Sequence, residues 1–311
     1  MKKVIFIDTV HPILYERLES AGYRCEWKNK LSREEILPLL KEYEGAVIRS
    51  RFIFDREVFD AAINLKWIAR SGAGMENIDR RIAQKRGIKC FNSPEGNRDA
   101  VAEHALGMLL SLFNHLSRAD LEVRKGEWNR EKNRGIELKG KTVGILGYGF
   151  MGKAFAQRLV GFGVNCIAYD KYKNNYSDEY VQEVELEEFY QKTEVLSIHL
   201  PLTEETNQII NTTYLNRFAK NIYLINTARG KNVATQDLVE ALENGKVVGA
   251  CLDVLEYEKH SFEELNASDL PSAFQYLRSS DKVILSPHVA GWTVESYVKL
   301  SSFLADKILN S

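Results

Sequence analysis

The chain has 311 residues, 44% of them hydrophobic, enough to bury the cores of two domains of ordinary size. Its formal net charge of −1 gives no electrostatic reason to expect a nucleic acid or an anionic membrane as partner. No run approaches the ~18 apolar residues of a membrane helix. The N-terminal apolar run ends at Asp8 and reads as a first strand rather than a secretion signal. Cys25, Cys90, Cys166 and Cys251 are scattered, with no Cys-x-x-Cys pair; this fits reduced, buried thiols in a cytoplasmic protein better than a disulfide frame or a metal site.

The first hundred residues repeat a strand–helix rhythm. A strand is predicted over 4–7, a helix over 12–19 stopped by Gly22, and a strand over 23–27. Ser32 followed by Glu35 is a capping-box signal for the next helix. A strand over 46–48, a helix capped by Asp55, a strand over 65–69, a helix over 79–85 and a strand over 88–91 follow. Such alternation implies a parallel sheet with helices on both faces. After a turn-rich break over 92–97, one long helix is predicted from about Asp99 to Leu116, with Val101, Ala105, Leu106, Leu109, Leu110 and Phe113 in a broad apolar stripe. A polar stretch over 118–141 leads into the second half.

There the rhythm resumes, with strands predicted at 142–146, 164–169, 195–199, 222–226, 248–252 and 283–285. Residues 259–281 read as polar and irregular, apart from an amphipathic piece at 274–277. A last helix over 293–308 shows Tyr297, Val298, Leu304 and Ile308 on one face. The first predicted strand of this half enters a glycine turn, Gly147-Tyr148-Gly149-Phe150-Met151-Gly152, which opens a helix. Gly147 permits a sharp turn, Gly149 removes a side chain where a pyrophosphate approaches the backbone, and Gly152 lets helix and strand lie close. The helix N-terminus offers unpaired N–H groups to phosphates. Asp170 closes the next predicted strand, where a carboxylate holds ribose hydroxyls; this favours NAD over NADP, although Lys171 and Lys173 stand beside it. Because a complete parallel unit precedes this turn, the expected architecture is α/β with two doubly wound parallel-sheet domains. A Rossmann domain over 98–286 would be inserted into a flavodoxin-like substrate domain made of 1–97 and 287–311.

Four runs at predicted strand ends carry the polar residues: His199-Leu200-Pro201-Leu-Thr, Asn226-Thr227-Ala228-Arg229-Gly, Leu252-Asp253-Val-Leu-Glu256-Tyr-Glu258, and Ser286-Pro-His288-Val-Ala-Gly291. Open parallel sheets bind ligands along that rim. Oxidising an alcohol to a ketone needs a hydride acceptor, a group for the hydroxyl proton and a cation at the oxygen. An imidazole suits the proton, a carboxylate beside it orients the ring, and a guanidinium grips a carboxylate in two places. His288, Glu258 and Arg229 fit these roles in order.

Together with Arg49-Ser50-Arg51, Ser71-Gly72-Ala73-Gly74, Asn77, Asp79, the run through Asn97 and Val101-Ala-Glu-His104, these motifs resemble the D-isomer-specific 2-hydroxyacid dehydrogenases over nearly the whole chain, in the phosphoglycerate dehydrogenase and hydroxyacid reductase branch. The resemblance implies Arg229, Glu258 and His288 as the catalytic set. It implies that the amides of Ser71 to Gly74 hold the substrate carboxylate as an anion nest, with Asn97 nearby. It also implies nicotinamide-side contacts from Thr227, Ala228, Arg229, Asp253, His288 and Gly291, a lining role for His199, Leu200, Pro201 and Thr206, and a two-fold dimer packed through the helix from Asp99.

The chain departs from that pattern in three places. Lys259 follows Glu258 where the family usually has proline, the stretch to His288 is long, and Trp292 stands where small residues are common. Glu256 therefore competes as the histidine's partner, although its spacing from Asp253 favours Glu258. Arg49 and Arg51, flanking Ser50, are either cations for a substrate phosphate or carboxylate or solvated charges. The expected reaction is NAD-dependent interconversion of a D-2-hydroxy acid and a 2-oxo acid, with 3-phosphoglycerate as one substrate candidate and glyoxylate or hydroxypyruvate as the alternative. A non-catalytic NAD(H)-sensing protein on the same fold is the rival of another class, and a formate dehydrogenase fits less well because that branch pairs its histidine with glutamine. No feedback-regulatory domain is expected after residue 311.

Overall fold

The computed structural model describes residues 2–258 and 271–311. The predicted irregular stretch after Glu258, with Lys259, lies outside the described residues until Pro271. The chain forms two compact units, Met1–Arg98 with Trp292–Ser311, and Asp99–Gly291.

The first unit holds five parallel strands, β1 (Lys3–Phe6), β2 (Arg24–Trp27), β3 (Gly45–Ile48), β4 (Trp67–Arg70) and β5 (Lys89–Asn92), in the order β2-β1-β3-β4-β5. This is the flavodoxin-like order. Side chains alternate across the sheet. Ile5, Ile7, Ile48 and Ile68 pack with Phe54 and Phe59 on one face, and Val4, Phe6, Val47 and Trp67 pack on the other. Ser32 forms the expected capping box, and Asp55 and Asp79 each cap a helix through a backbone N–H. The C-terminal helix Val294–Leu309 covers the second face with Leu304, Ala305 and Ile308. Its buried stripe is Ser296, Leu300, Ser301, Leu304, Ala305 and Ile308, whereas Tyr297 and Val298 are half-buried beside it. The stripe turned because two small serines face the unit, a signal that apolar counting passes over.

The second unit holds seven parallel strands: β6 (Thr142–Leu146), β7 (Asn165–Tyr169), β8 (Gln182–Glu183), β9 (Val195–Ile198), β10 (Ile222–Asn226), β11 (Val247–Leu252) and β12 (Val283–Leu285). Their order is β12-β11-β10-β9-β6-β7-β8. Counted from β6, this is the Rossmann order with one more strand at the edge, and the direction of winding reverses between β6 and β9. Val143, Ile145, Val195 and Ile225 face one core; Leu146, Leu196, Ile198 and Leu224 face the other. β8 and the helix Thr212–Asn216 were not legible in the sequence, and the amphipathic piece at 274–277 belongs to a helix, Ser272–Ser279.

The single long helix predicted from Asp99 is two. Arg98–Phe113 ends where Asn114 donates from its side chain to the Leu110 carbonyl at 3.0 Å. His115 then takes a left-handed backbone (φ 52°), and Leu116–Arg124 forms a second helix within the stretch read as polar. The Asn114 side-chain bond and the left-handed backbone of His115 break the helix here.

Gly96 is a steric key to the first unit, since a Cβ there would come within 2.6 Å of the Leu300 backbone on the C-terminal helix. Gly96→Ala is therefore expected to lower stability by about 1–3 kcal/mol, the cost of overpacking a contact that has no side chain to yield. The urea midpoint against that of the wild type measures it.

Candidate active site

The glycine turn follows β6 at the point where the sheet's winding reverses. Gly147 has φ +92°, and a Cβ there would come within 2.8 Å of the His199 carbonyl oxygen. A Cβ on Gly152 would overlap the Gly147 carbonyl, so helix Phe150–Leu159 lies directly on the turn. A Cβ on Gly149 would meet open space, and no side chain caps the helix that starts after it. Backbone access on the open side and tight packing on the other are what a pyrophosphate needs. Phe150 is exposed, Met151 half-buried and Gly152 buried in the first helical turn.

Asp170 does more than close a strand. Its two oxygens accept the N–H groups of Tyr148, at 2.9 Å, and Tyr172, at 3.0 Å, so it braces the turn itself. The buried Tyr148 donates its hydroxyl to Asp178 at 3.0 Å. The neighbouring lysines are engaged: Lys171 pairs with Glu205, which also takes the Tyr172 hydroxyl, and Lys173 donates to the Tyr148 carbonyl at 2.5 Å.

The loop after β9 is bonded to itself. Thr206 donates its hydroxyl to the Pro201 carbonyl at 2.6 Å and accepts the Thr203 N–H at 2.8 Å, with Leu200 half-buried between. The His199 ring contacts Ser197 at 2.9 Å and packs beside Phe155, with ring centres 5.6 Å apart. Burial lowers its pKa to about 4, so this imidazole is neutral and only its carbonyl reaches the turn.

Three adjacent strands carry the remaining motifs. After β10, the buried Asn226 accepts the Ala228 N–H at 3.1 Å and donates to the Arg229 carbonyl at 2.9 Å, bracing the segment that bears Arg229. Arg229 donates to the Ala228 carbonyl at 2.6 Å. The Thr227 hydroxyl oxygen is buried and without a hydrogen-bond partner among the described residues. Gly230 lies so close to the Leu255 carbonyl that no Cβ fits, which locks the Arg229 segment onto the loop after β11.

That loop starts at Asp253, only 1% exposed. Its carboxylate accepts the Ser286 hydroxyl at 2.6 Å and the N–H groups of Val289 and Ala290 at 2.9 Å each. Its carbonyl accepts the His288 N–H at 2.8 Å. These bonds hold His288 at φ +53°, a costly backbone for a residue with a side chain. His288 Nδ1 lies 2.6 Å from Glu258 Oε2, and the other Glu258 oxygen accepts the Leu255 N–H. Since a carboxylate only accepts, Nδ1 carries the proton, and Nε2 is the ring nitrogen that Glu258 does not take. Glu256, the competing partner, instead accepts Gln208 at 2.6 Å and the Thr235 N–H at 2.9 Å. Gly291 ends this unit in the turn after Ala290.

The predicted substrate residues Arg49, Ser50, Arg51, Ser71 to Gly74 and Asn97 belong to the first unit. The Arg49 guanidinium stacks on Trp292, 3.9 Å from the ring centre, and its N–H donates to the buried Asp8; Ser50 follows, half-buried. The exposed Arg51 side chain is engaged by the protein's own backbone. It donates to the carbonyls of Ile7 (2.9 Å), Asn29 and Leu31 (2.6 Å), clamping three loops. The Ser71 N–H donates to the Ile48 carbonyl at 2.8 Å, which withdraws it from the expected nest and leaves the amides of Gly72, Ala73 and Gly74. Gly72 has φ +157°, and Arg70, which sequence reasoning missed, donates to the Arg49 carbonyl at 3.1 Å. The Asn97 side-chain oxygen is buried without a partner among the described residues. All four cysteines are free; Cys25 and Cys251 are buried, Cys90 and Cys166 half-buried. Among the described residues no cluster of His, Cys, Asp or Glu is arranged to hold a metal, and no helix is long and apolar enough to cross a membrane.

A glycine cradle at the switch point of a doubly wound sheet defines a dinucleotide-binding α/β protein. The comparisons with known proteins narrow this. The profile of the D-isomer specific 2-hydroxyacid dehydrogenase NAD binding domain matches residues 106–290. The chain is 34% identical over 310 residues to a D-3-phosphoglycerate dehydrogenase of Archaeoglobus fulgidus, covering 99% of this chain but 57% of that protein, so it spans little more than half that relative's length. It is 34% identical over 278 residues to a hydroxypyruvate reductase of Thermotoga maritima, covering 89% of this chain and 88% of the relative. The crystal structure of a glyoxylate reductase from Paecilomyes thermophila matches with a TM-score of 0.87 and 26% identity, over 99% of this chain and 94% of that one. The chain belongs to the D-isomer-specific 2-hydroxyacid dehydrogenase family, and its second unit carries that family's NAD-binding domain.

His199 makes stability depend on pH. The unfolded chain protonates this ring below its ordinary value of 6.5, the folded protein only below about 4. Between those values the unfolded state binds more protons, so the contribution is whole above pH 6.5 and declines toward pH 4, by on the order of 2 kcal/mol at pH 5. His199→Asn is expected to flatten that part of the profile, read as urea midpoints at pH 7, 6 and 5.

Proposed function

We propose that this chain is an NAD-dependent dehydrogenase that interconverts a D-2-hydroxy acid and a 2-oxo acid. The observation that carries the reading is the 2.6 Å contact between His288 Nδ1 and Glu258, on a loop fixed against the Arg229 segment. Residues Gly147 to Gly152, Asp170, Thr227, Ala228 and Gly291 would hold the cofactor, with the loop from His199 to Thr206 lining it through its backbone. NADH, when bound, supplies the hydride. Arg229 polarises the substrate carbonyl and grips its carboxylate, as a planar fork of donors does best. His288 Nε2 donates the proton that the new alkoxide takes, and in the oxidative direction receives it back. Glu258 fixes the tautomer that makes Nε2 available. The first unit, with the C-terminal return, serves as the substrate domain; the amides of Gly72 to Gly74 and the side chain of Asn97 receive the substrate carboxylate.

Asp170, with both neighbouring lysines engaged, supports NAD over NADP. The engagement of Arg51 by three carbonyls argues against it as a phosphate cation, and relatives are named for phosphoglycerate, hydroxypyruvate and glyoxylate alike. A cytoplasmic location agrees with four unpaired thiols. A two-fold dimer is supported less by helix Arg98–Phe113, whose apolar stripe is buried in its own unit, than by the exposed Leu116, Leu121, Val123, Trp128 and Ile136 that follow it. A monomer at micromolar concentration by light scattering would remove the dimer.

The test is a panel of glyoxylate, hydroxypyruvate, pyruvate and 3-phosphohydroxypyruvate with NADH and NADPH. Turnover with NADH on at least one acid is expected, and His288→Ala is expected to lower kcat by roughly 10²–10⁴-fold while NADH still binds. NADH binding without turnover on any acid would favour an NAD(H)-sensing protein instead.

A further inference from the structure

The motif Val101-Ala-Glu-His104 has no part in the reaction as described, yet the structure places its histidine at the end of a continuous chain of hydrogen bonds. His104, on helix Arg98–Phe113, puts Nε2 2.8 Å from Ser286 Oγ. Ser286 Oγ lies 2.6 Å from Asp253 Oδ1, and His104 Nε2 is itself 3.5 Å from that oxygen. A hydroxyl has one proton. Were it directed at His104, Ser286 and Asp253 would face each other as two acceptors at 2.6 Å. It is directed at the carboxylate, so His104 Nε2 carries a proton and donates to Ser286. Met108 Sδ, 3.7 Å from the same oxygen, is too weak an acceptor to change this.

We propose that His104 is a positioning residue, which holds the segment bearing His288 through Ser286 and Asp253. The inference rests on the proposed role of His288. Asp253 is buried and gathers the Val289 and Ala290 N–H groups, while its carbonyl takes the His288 N–H. A carboxylate withdrawn from water needs every donor it can reach. His104 fixes the rotamer of Ser286, Ser286 completes the shell of Asp253, and Asp253 maintains the left-handed backbone of His288. Without the His104 N–H, the Ser286 hydroxyl keeps only its bond to Asp253, and the strained segment has a less costly conformation open to it. His104 reaches neither substrate nor the proton in this account; it sets where the imidazole stands.

The experiment compares His104→Leu, His104→Gln, Ser286→Ala and the Leu/Ala double variant with wild type, using the best 2-oxo acid of the panel. NADH affinity by fluorescence serves as the control for an intact second unit. His104→Leu and Ser286→Ala are each expected to lower kcat about tenfold with the NADH Kd within about threefold of wild type. His104→Gln, whose amide N–H sits where Nε2–H stands, is expected to recover most of the rate. The double variant is expected to be no slower than either single one, because both remove the same link. Wild-type kcat in His104→Leu, a His104→Gln enzyme as slow as the leucine variant, or multiplied effects in the double variant would each overturn the proposal. If His104→Leu fails to bind NADH, Ser286→Ala and His104→Gln decide it alone. His288→Ala run in parallel separates the two readings: full turnover there ends both, whereas a slow His288→Ala beside a normal Ser286→Ala ends only this one.

Discussion

The buried carboxylate of Asp253 organises the second unit's rim. It stands at the end of a central strand and receives a hydroxyl and two backbone amides from the segment after the edge strand, while its own backbone binds both Asn226 and His288. A charge so placed costs free energy unless every lone pair finds a donor. Satisfying it forces residues 286–290 into one conformation, including a left-handed histidine. The imidazole's aim is thus a consequence of where a neighbouring carboxylate must find its hydrogen bonds. Glu258 then selects the ring's tautomer, and Gly230 keeps the arginine's segment in contact with the same loop.

The same economy appears at the glycine turn. Three glycines are required there for three different reasons: a positive φ at Gly147, open backbone at Gly149, and contact between helix and strand at Gly152. Asp170 braces the turn through the N–H groups of Tyr148 and Tyr172, and in the proposed function its remaining acceptor capacity serves the ribose.

How legible each feature was follows from how local its cause is. The glycine turn, the Ser32 capping box and the caps at Asp55 and Asp79 depend on residues a few positions apart, and they could be read directly. Strand order followed from rhythm and the winding rules of parallel sheets. Arg51 could not be read, because its partners Ile7, Asn29 and Leu31 are brought to it only by the fold. Spacing from Asp253 pointed to Glu258 over Glu256, and the structure shows why: Glu256 is taken by Gln208 and the start of the helix at Thr235. The second helix, Leu116–Arg124, was hidden because its sequence is polar and its apolar residues Leu116, Leu121 and Val123 are exposed. The amide of Ser71, which the resemblance places in an anion nest, donates to the Ile48 carbonyl, a partner brought to it only by the fold.

The claim on which this account stands is that a carboxylate-held imidazole moves the substrate's proton. Glu258→Gln tests it most directly. The amide oxygen keeps the Leu255 contact, while the amide N–H faces His288 Nδ1 and imposes the opposite tautomer, which locks the neutral ring's proton on Nε2 and withdraws support from the doubly protonated ring that donates in the reductive direction. The account predicts a kcat about 100-fold below wild type with unchanged NADH affinity. A kcat within twofold of wild type, with the chain intact, would contradict it.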